Sequence, residues 1–292
     1  MKVALVCPYA WDRVGGVQTH IAALKEQLTA RGHDVVVIAP ASFGAHLNGG
    51  ISRAGRSLGI RANGSVAPLS FGPSGAIAVR TALARFQPDV VHAHEPLIPS
   101  VSLMATTLAH APVVGTFHAS APSSTGYRIA RPVLSRAVDR LAERTAVSDE
   151  ARSLVETYFP GTYRLTPNGV DVAGFRDASA MDLGPGKKIL FLSRLERRKG
   201  LEVLLQACTR IRDLDARVVV AGTGPEERGA RKLARELGID TTWLGRIPDG
   251  DKASVFKAAD VYCAPARSGE SFGIVLIEAM AAGRPVVCSD LA

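Results

Sequence analysis

The chain has 292 residues, 47% hydrophobic and 21% charged, with 35 Lys and Arg against 27 Asp and Glu for a formal charge of +8. This composition excludes a disordered chain, and the length suggests about two domains. The basic balance favours acidic partners, but aromatic residues are only 5% and no basic stripe interleaves with them, which argues against nucleic acid and leaves nucleotides and anionic membrane surfaces.

Hydrophobic spacing predicts a strand over residues 2–7, a loop over 8–16 and an amphipathic helix over 17–30, closed by Gly32-His33. A strand over 35–39 completes a βαβ unit. Residues 41–75 are glycine-rich with scattered apolar positions and read as loops with one short strand. Order returns with helix 75–86, strand 89–94, helix 98–110, strand 112–117, helix 129–143, strand 145–147 and a helix capped by Ser148 or Asp149. The alternation pauses over 166–186, which reads as a linker between domains 1–167 and 168–292. A second series follows: strand 188–192, helix 200–212, strand 216–221, helix 225–237, strand 241–244, helix 251–258, strand 261–264, helix 273–282 and strand 285–288. Strands alternating with helices imply parallel sheets covered on both faces, with ligands at the carboxyl ends of the strands.

Cys7, Cys208, Cys263 and Cys288 are widely spaced and read as buried free thiols rather than a disulfide framework or a zinc site. No apolar run reaches the roughly 18 residues of a membrane span. Residues 1–10 resemble a first strand more than a signal peptide, and the expected location is the cytoplasm.

Several constellations fall at predicted strand ends. Gly15-Gly16 opens the first helix, where backbone N–H groups and the helix dipole suit a phosphate. The motif is not Gly-x-Gly-x-x-Gly, and the next strand ends in Ala39-Pro40 without a ribose-binding acid. Arg194 and Lys199 follow the strand 188–192 and can grip a diphosphate as fork and point charge, while Arg197 and Arg198 read as solvated. His118 follows the strand 112–117. His92 and His94 share one strand face, but a metal site with His118 is disfavoured because neither an open position nor supporting partners are visible. Asp213 and Asp215 read as a turn, and residues 221–226 as a partial dinucleotide turn. Glu270 lies in a Gly/Ser-rich loop and Glu278 inside the following apolar helix. A helix start flanked by two carboxylates suits a ligand with both phosphate and hydroxyls, as in a nucleotide sugar.

Together, Gly15-Gly16, Arg194 with Lys199, and Glu270 with Glu278 in the run from Gly269 to Gly283 resemble the retaining family 4 glycosyltransferases. The resemblance covers essentially the whole chain. It implies an α/β fold of GT-B type, with two Rossmann-like domains whose sheets face a central cleft. Val6-Cys7-Pro8-Tyr9, Asn63-Gly64-Ser65, Thr116-Phe117-His118 and Pro167-Asn168-Gly169 are similar to the branch that moves mannose from GDP-mannose to the inositol ring of phosphatidylinositol with retention of configuration. The resemblance implies that Gly15, Gly16, Arg194 and Lys199 hold the diphosphate and Glu278 the ribose. Glu270 and His118 would meet the transferred sugar, with Ser271, Phe272, Gly273 and Ile274 completing the donor loop. The implied catalytic set is His118, Glu270, Arg194 and Lys199; Tyr9, Gln18 and Asn63 would contact the inositol. No metal or other cofactor is implied. An anionic membrane surface on the inner face of the plasma membrane is an implied partner. A UDP-sugar donor with another polyol acceptor, or a nucleotide-sugar-binding chain without turnover, are the alternatives.

Three departures stand out. Ser123 occupies a position where the family carries a lysine for the lipid phosphate, and the helix 75–86 keeps only Arg80 and Arg85 for docking on anionic lipid. The family also continues past the strand 285–288, so the second domain is expected to be incomplete at its C-terminal side.

Overall fold

The computed structural model describes residues 1–292 other than Val14, Asn48, Ser57, Asn63, Gly64, Phe71 and Ala292, and residues 56–68 through their backbone alone. The chain divides into two compact units, Met1–Asn168 and Gly169–Ala292.

The first unit begins with β1 (Lys2–Val6), α1 (Gly16–Ala30) and β2 (Asp34–Ala41), and β1 pairs parallel with β2 from Lys2↔Asp34 to Val6↔Ile38. The glycine-rich segment holds three strands rather than one: β3 (Ile51–Arg56), which extends the parallel sheet beside β2, and the antiparallel pair β4 (Leu58–Ala62) and β5 (Ser65–Leu69). Weak hydrophobic periodicity concealed them, because strands at an edge or in a two-stranded ribbon bury little on either face.

After α2 (Pro73–Phe86) come β6 (Val90–His94), α3 (Val101–Leu108), β7 (Val113–Phe117), α4 (Thr125–Val138), β8 (Leu141–Ala146), α5 (Asp149–Tyr158) and the short β9 (Arg164–Leu165). Ser124 caps α4 and Ser148 caps α5 through their hydroxyls. The helix expected over 129–143 therefore starts earlier and stops at Val138. Residues 141–143 instead join the sheet beside β7, because buried Leu141 fills the space over Gly115, where a Cβ would lie 2.8 Å from its methyl carbon.

The sheet order β3-β2-β1-β6-β7-β8-β9 reverses direction at β1, whose partners on its two sides are β2 and β6. Ligands of doubly wound folds bind outside the carboxyl ends of strands at such a reversal. Pro8-Tyr9, Glu95 and His118 are the residues that leave β1, β6 and β7 there.

The second unit starts with a short α6 (Val172–Arg176) inside the expected linker. It continues as β10 (Lys187–Leu192), α7 (Leu201–Cys208), β11 (Ala216–Ala221), α8 (Glu227–Glu236), β12 (Thr241–Gly245), α9 (Lys252–Ala258), β13 (Val261–Ala264), α10 (Ile274–Ala281) and β14 (Val286–Cys288). Its parallel sheet runs β12-β11-β10-β13-β14, reversing at β10. One core layer joins Phe191, Leu201, Leu204, Leu205, Val218 and Val220 under α7 and α8; the other joins Leu190, Val219, Phe256, Tyr262 and Ala279 under α9 and α10. The successive residues of β10 and β11 thus alternate between two apolar faces, as a doubly covered parallel sheet requires.

All four cysteines are free, but Cys288 is exposed, correcting the expectation of a buried thiol: β14 is an edge strand. No helix among the described residues is long and apolar enough to cross a membrane.

Candidate functional site

In the second unit the loops after β10 and β13 meet. Gly200 makes this possible: its φ is +73°, and a Cβ there would lie 1.8 Å from the carbonyl oxygen of Pro265. Arg267 N–H donates to Arg198 O at 2.7 Å, and Arg198 Nη1 donates to Gly269 O at 2.8 Å. Lys199 Nζ consequently forms an ion pair with Glu270 Oε1. Burial lowers the Lys199 pKa, with the Glu270 charge opposing. Arg194 Nη1 and Arg198 Nε grip the two oxygens of Glu196 at 2.7 and 2.9 Å.

Arg198 is thus not the solvated residue expected; its side chain is 19% exposed and knits the two loops, whereas Arg197 is exposed. The glycine turn at 222–224 braces the same loop, with Leu195 N–H donating to Thr223 O at 3.0 Å and Glu226 N–H to Leu195 O at 3.0 Å. Its glycines serve close backbone packing: a Cβ on Gly222 would lie 1.9 Å from Ser193 O. Asp213 and Asp215 lie in and beside a 3-10 turn at Arg212–Leu214, as expected.

Ser271, Phe272, Gly273 and Ile274 are half-buried and lead into α10, with Gly273 at φ +77° as its N-cap. The first turn of α10 thus begins four residues after Glu270, the partner of Lys199. One turn into the helix, Glu278 is 3% exposed. Its Oε1 accepts from Lys252 Nζ at 3.4 Å, and its Oε2 has no partner among the described residues. Burial raises its pKa and the Lys252 charge counters that rise. A buried carboxylate oxygen without a donor is costly and is positioned to accept a ligand hydroxyl. Lys252, also paired with Asp249 at 3.2 Å, is a site residue the sequence reading missed.

In the first unit Gly15 is the N-cap of α1 and Gly16 its first residue, with Thr19 N–H donating to Gly15 O at 3.0 Å. Gln18 Nε2 donates to Ala10 O at 3.2 Å, which ties the helix start to the loop carrying Tyr9. Burial and then the Glu95 charge push the Tyr9 phenol up. Asn63 lies outside the described residues.

His118 is 7% exposed. Its Nε2 shares a hydrogen bond with His94 Nδ1 at 2.9 Å, and the His20 ring lies edge-on to both at 5.4 Å between centroids. Burial first, then the neighbouring imidazoles, hold His94 and His118 well below their ordinary pKa, and His92 at about 4. All three are neutral at physiological pH. The converging group is His20, His94 and His118, whose ring nitrogens lie within 4.8 Å of one another. His92 instead bonds Thr116 Oγ1 at 2.6 Å. In the His94–His118 pair one imidazole donates and the other accepts, the direction depending on the tautomer. His20 was missed because a single histidine on a helix face carries no register relation to a strand end.

Comparison with known proteins places these sites in context. The family model for group 1 glycosyl transferases matches residues 182–292, and that for glycosyltransferase family 4 matches residues 14–173. The chain is 43% identical over 296 residues to a phosphatidyl-myo-inositol mannosyltransferase of Mycolicibacterium smegmatis, an alignment spanning all of this chain and 76% of that relative. A protein of the same description from Propionibacterium freudenreichii is 39% identical over 310 residues, spanning all of this chain and 77% of that relative. Among solved structures, a sucrose-phosphate synthase from Thermosynechococcus elongatus aligns with a TM-score of 0.74 at 19% identity, over 100% of this chain and 82% of that one. Anabaena Alr3699/HepE in complex with UDP and glucose aligns with a TM-score of 0.71 at 18% identity, over 99% and 80%. The paired Rossmann-like units are those of the GT-B fold. With both units matched by these models and its full length aligned at 43% identity, the chain belongs to the family 4 glycosyltransferases.

Proposed function

We propose that the chain transfers mannose from GDP-mannose to a hydroxyl of the inositol ring of phosphatidylinositol, with retention of configuration. The observation that carries this reading is the Lys199–Glu270 pair at the open amino end of α10, one turn before the unsatisfied oxygen of Glu278. The acceptor rests on the phosphatidyl-myo-inositol mannosyltransferases that the chain resembles over its whole length.

Arg194, Lys199 and the α10 amides of the second unit supply positive charge and donors for the leaving diphosphate. That provision makes a metal unnecessary to the proposed step. Glu278 accepts from the ribose, and Glu270 from a hydroxyl of the mannose. In the reaction the bond from the anomeric carbon to the diphosphate oxygen breaks and a bond to the inositol oxygen forms on the same face. The inositol proton passes to the departing phosphate. The neutral His118 imidazole hydrogen-bonds the transferred sugar rather than acting as a cationic acid, and Tyr9, Gln18 and Asn63 orient the inositol.

An anionic lipid surface is the proposed docking partner. Helices α2, α3 and α4 pack as neighbours in that order. They contain Arg80, Arg85, Arg128, Arg131 and Arg136 but no Asp or Glu. Ile77, Leu108, Ile129 and Val133 on these helices are exposed. Basic residues among exposed apolar ones suit a headgroup layer. The reading is tested by offering GDP-mannose, GDP-glucose, UDP-glucose and UDP-N-acetylglucosamine with phosphatidylinositol vesicles or soluble inositol. Mannolipid from GDP-mannose alone is expected; transfer only from a UDP-sugar, or donor binding without turnover, would overturn it.

A further inference from the structure

Glu95 leaves β6 directly after His94. It is 1% exposed, and its backbone is left-handed, with φ +51°. Neither state is comfortable: burial raises the carboxyl pKa against two backbone hydrogen bonds that lower it, and a left-handed backbone is strained for a non-glycine residue. The side chain makes specific use of that position. Oε1 accepts from the backbone N–H of both His118 and Ala119, each at 2.6 Å, while Oε2 has no hydrogen-bond partner among the described residues. Glu95 N–H in turn donates to Thr116 O of β7 at 2.7 Å, so Glu95 is tied both to that strand and to the two residues that follow it.

We infer that Glu95 is the positioning residue for His118: its carboxylate fixes the backbone at 118–119 while its chain neighbour His94 fixes the imidazole. Two consecutive residues of one strand end thus hold two consecutive residues of the next, one through the main chain and one through the ring. The ring bond alone would leave the backbone free to pivot about it. The carboxylate removes that freedom, and the N–H donors beyond β7, which have no further ladder partner, are satisfied without water. Charge-assisted bonds are shorter and stronger than neutral ones, which gives a reason for Glu rather than Gln. The Glu95 charge also raises the pKa of Tyr9, a proposed acceptor contact.

The catalytic consequence rests on the proposed role of His118 at the transferred sugar, so the test has a readout independent of transfer. In the full chain, Glu95→Gln and Glu95→Ala are compared with wild type by amide hydrogen exchange at His118 and Ala119, with the β7 amides as internal reference. Exchange at the two amides is expected to rise roughly fivefold in the Gln variant and on the order of a hundredfold in the Ala variant. In transfer assays kcat should follow the same order, with donor KM nearly unchanged and Gln rescuing most of the loss. Unchanged exchange at 118 and 119 in both variants would overturn the inference, as would a Glu95→Ala enzyme with wild-type kcat. If Glu95→Ala does not fold, Glu95→Gln decides alone, wild-type exchange being the adverse result. Altered exchange in a protein whose wild type transfers nothing would sink the transfer reading and leave the clamp standing.

Discussion

Lys199 and Glu270 illustrate how much a single pair can be asked to carry. Each partner is held in place by the other, so truncating either leaves a charge at a half-buried site and removes a proposed contact to the donor. Lys199→Ala and Glu270→Ala are each expected to lower kcat/KM by about 10²–10³-fold, measured as mannolipid formed. Wild-type rates in either would remove that assignment. The histidine cluster makes a different prediction. His92, His94 and His118 are kept neutral, so the folded state binds fewer protons than the unfolded state below the ordinary imidazole pKa of 6.5. Stability is therefore full above that value and is lost as pH falls through the window from 6.5 towards about 4, the folded value for His92. Thermal melts across that range should show the decline, and His92→Gln should make it shallower. At this scale the types of the proposed contacts were legible, since Glu270, Glu278 and Lys199 sit beside glycine-rich turns. Arg198 and Lys252 were not, because a charged residue in a loop or at a helix start reads as solvated until the chain folds back on it.

The elements were legible wherever burial imposes a period. Strands β1, β10 and β11 are largely runs of apolar residues because both faces are covered, and sequence patterning reaches them directly. Patterning failed at 41–75, where the strands lie at an edge or in a ribbon, and at 141–143, where packing of Leu141 over Gly115 decided between helix and sheet. The junction at Gly200 is the element-scale feature most exposed to test. Any side chain there meets Pro265 O and a left-handed backbone, so Gly200→Ala should cost about 2–4 kcal/mol. A melting temperature equal to wild type would show that the two loops do not meet as described. On α4, Ile129 and Val133 are one turn apart, exposed, and flanked by Arg128, Arg131 and Arg136. Introducing negative charge at the apolar pair, Ile129→Asp with Val133→Asp, should weaken sedimentation with anionic vesicles while leaving melting unchanged. Binding that survives would remove this helix from the proposed surface.

At the scale of the molecule, two units carry different proposed ligands, and this permits a separation. Donor that binds the folded second unit stabilises it by mass action, about 2.7 kcal/mol at a hundredfold excess over Kd. GDP-mannose or GDP is therefore expected to raise the melting temperature, and Glu278→Ala to reduce that rise by removing the carboxylate offered to the ribose. An undiminished rise would place the ribose elsewhere. By itself the sequence determined the alternating α/β architecture, the break near residue 168, and the family through its acid pair and glycine turns. Those are local matters: burial of apolar residues on both sheet faces sets the periods, and turns that pack closely on neighbouring backbone need glycine. Only the tertiary structure decided which side chains converge: Arg198 across two loops, Lys252 on Glu278, His20 with His94 and His118, and Glu95 on the backbone of His118. Convergence depends on sheet order and strand register, through which residues 23 to 98 positions apart come within reach of one another, and no period in the sequence records that.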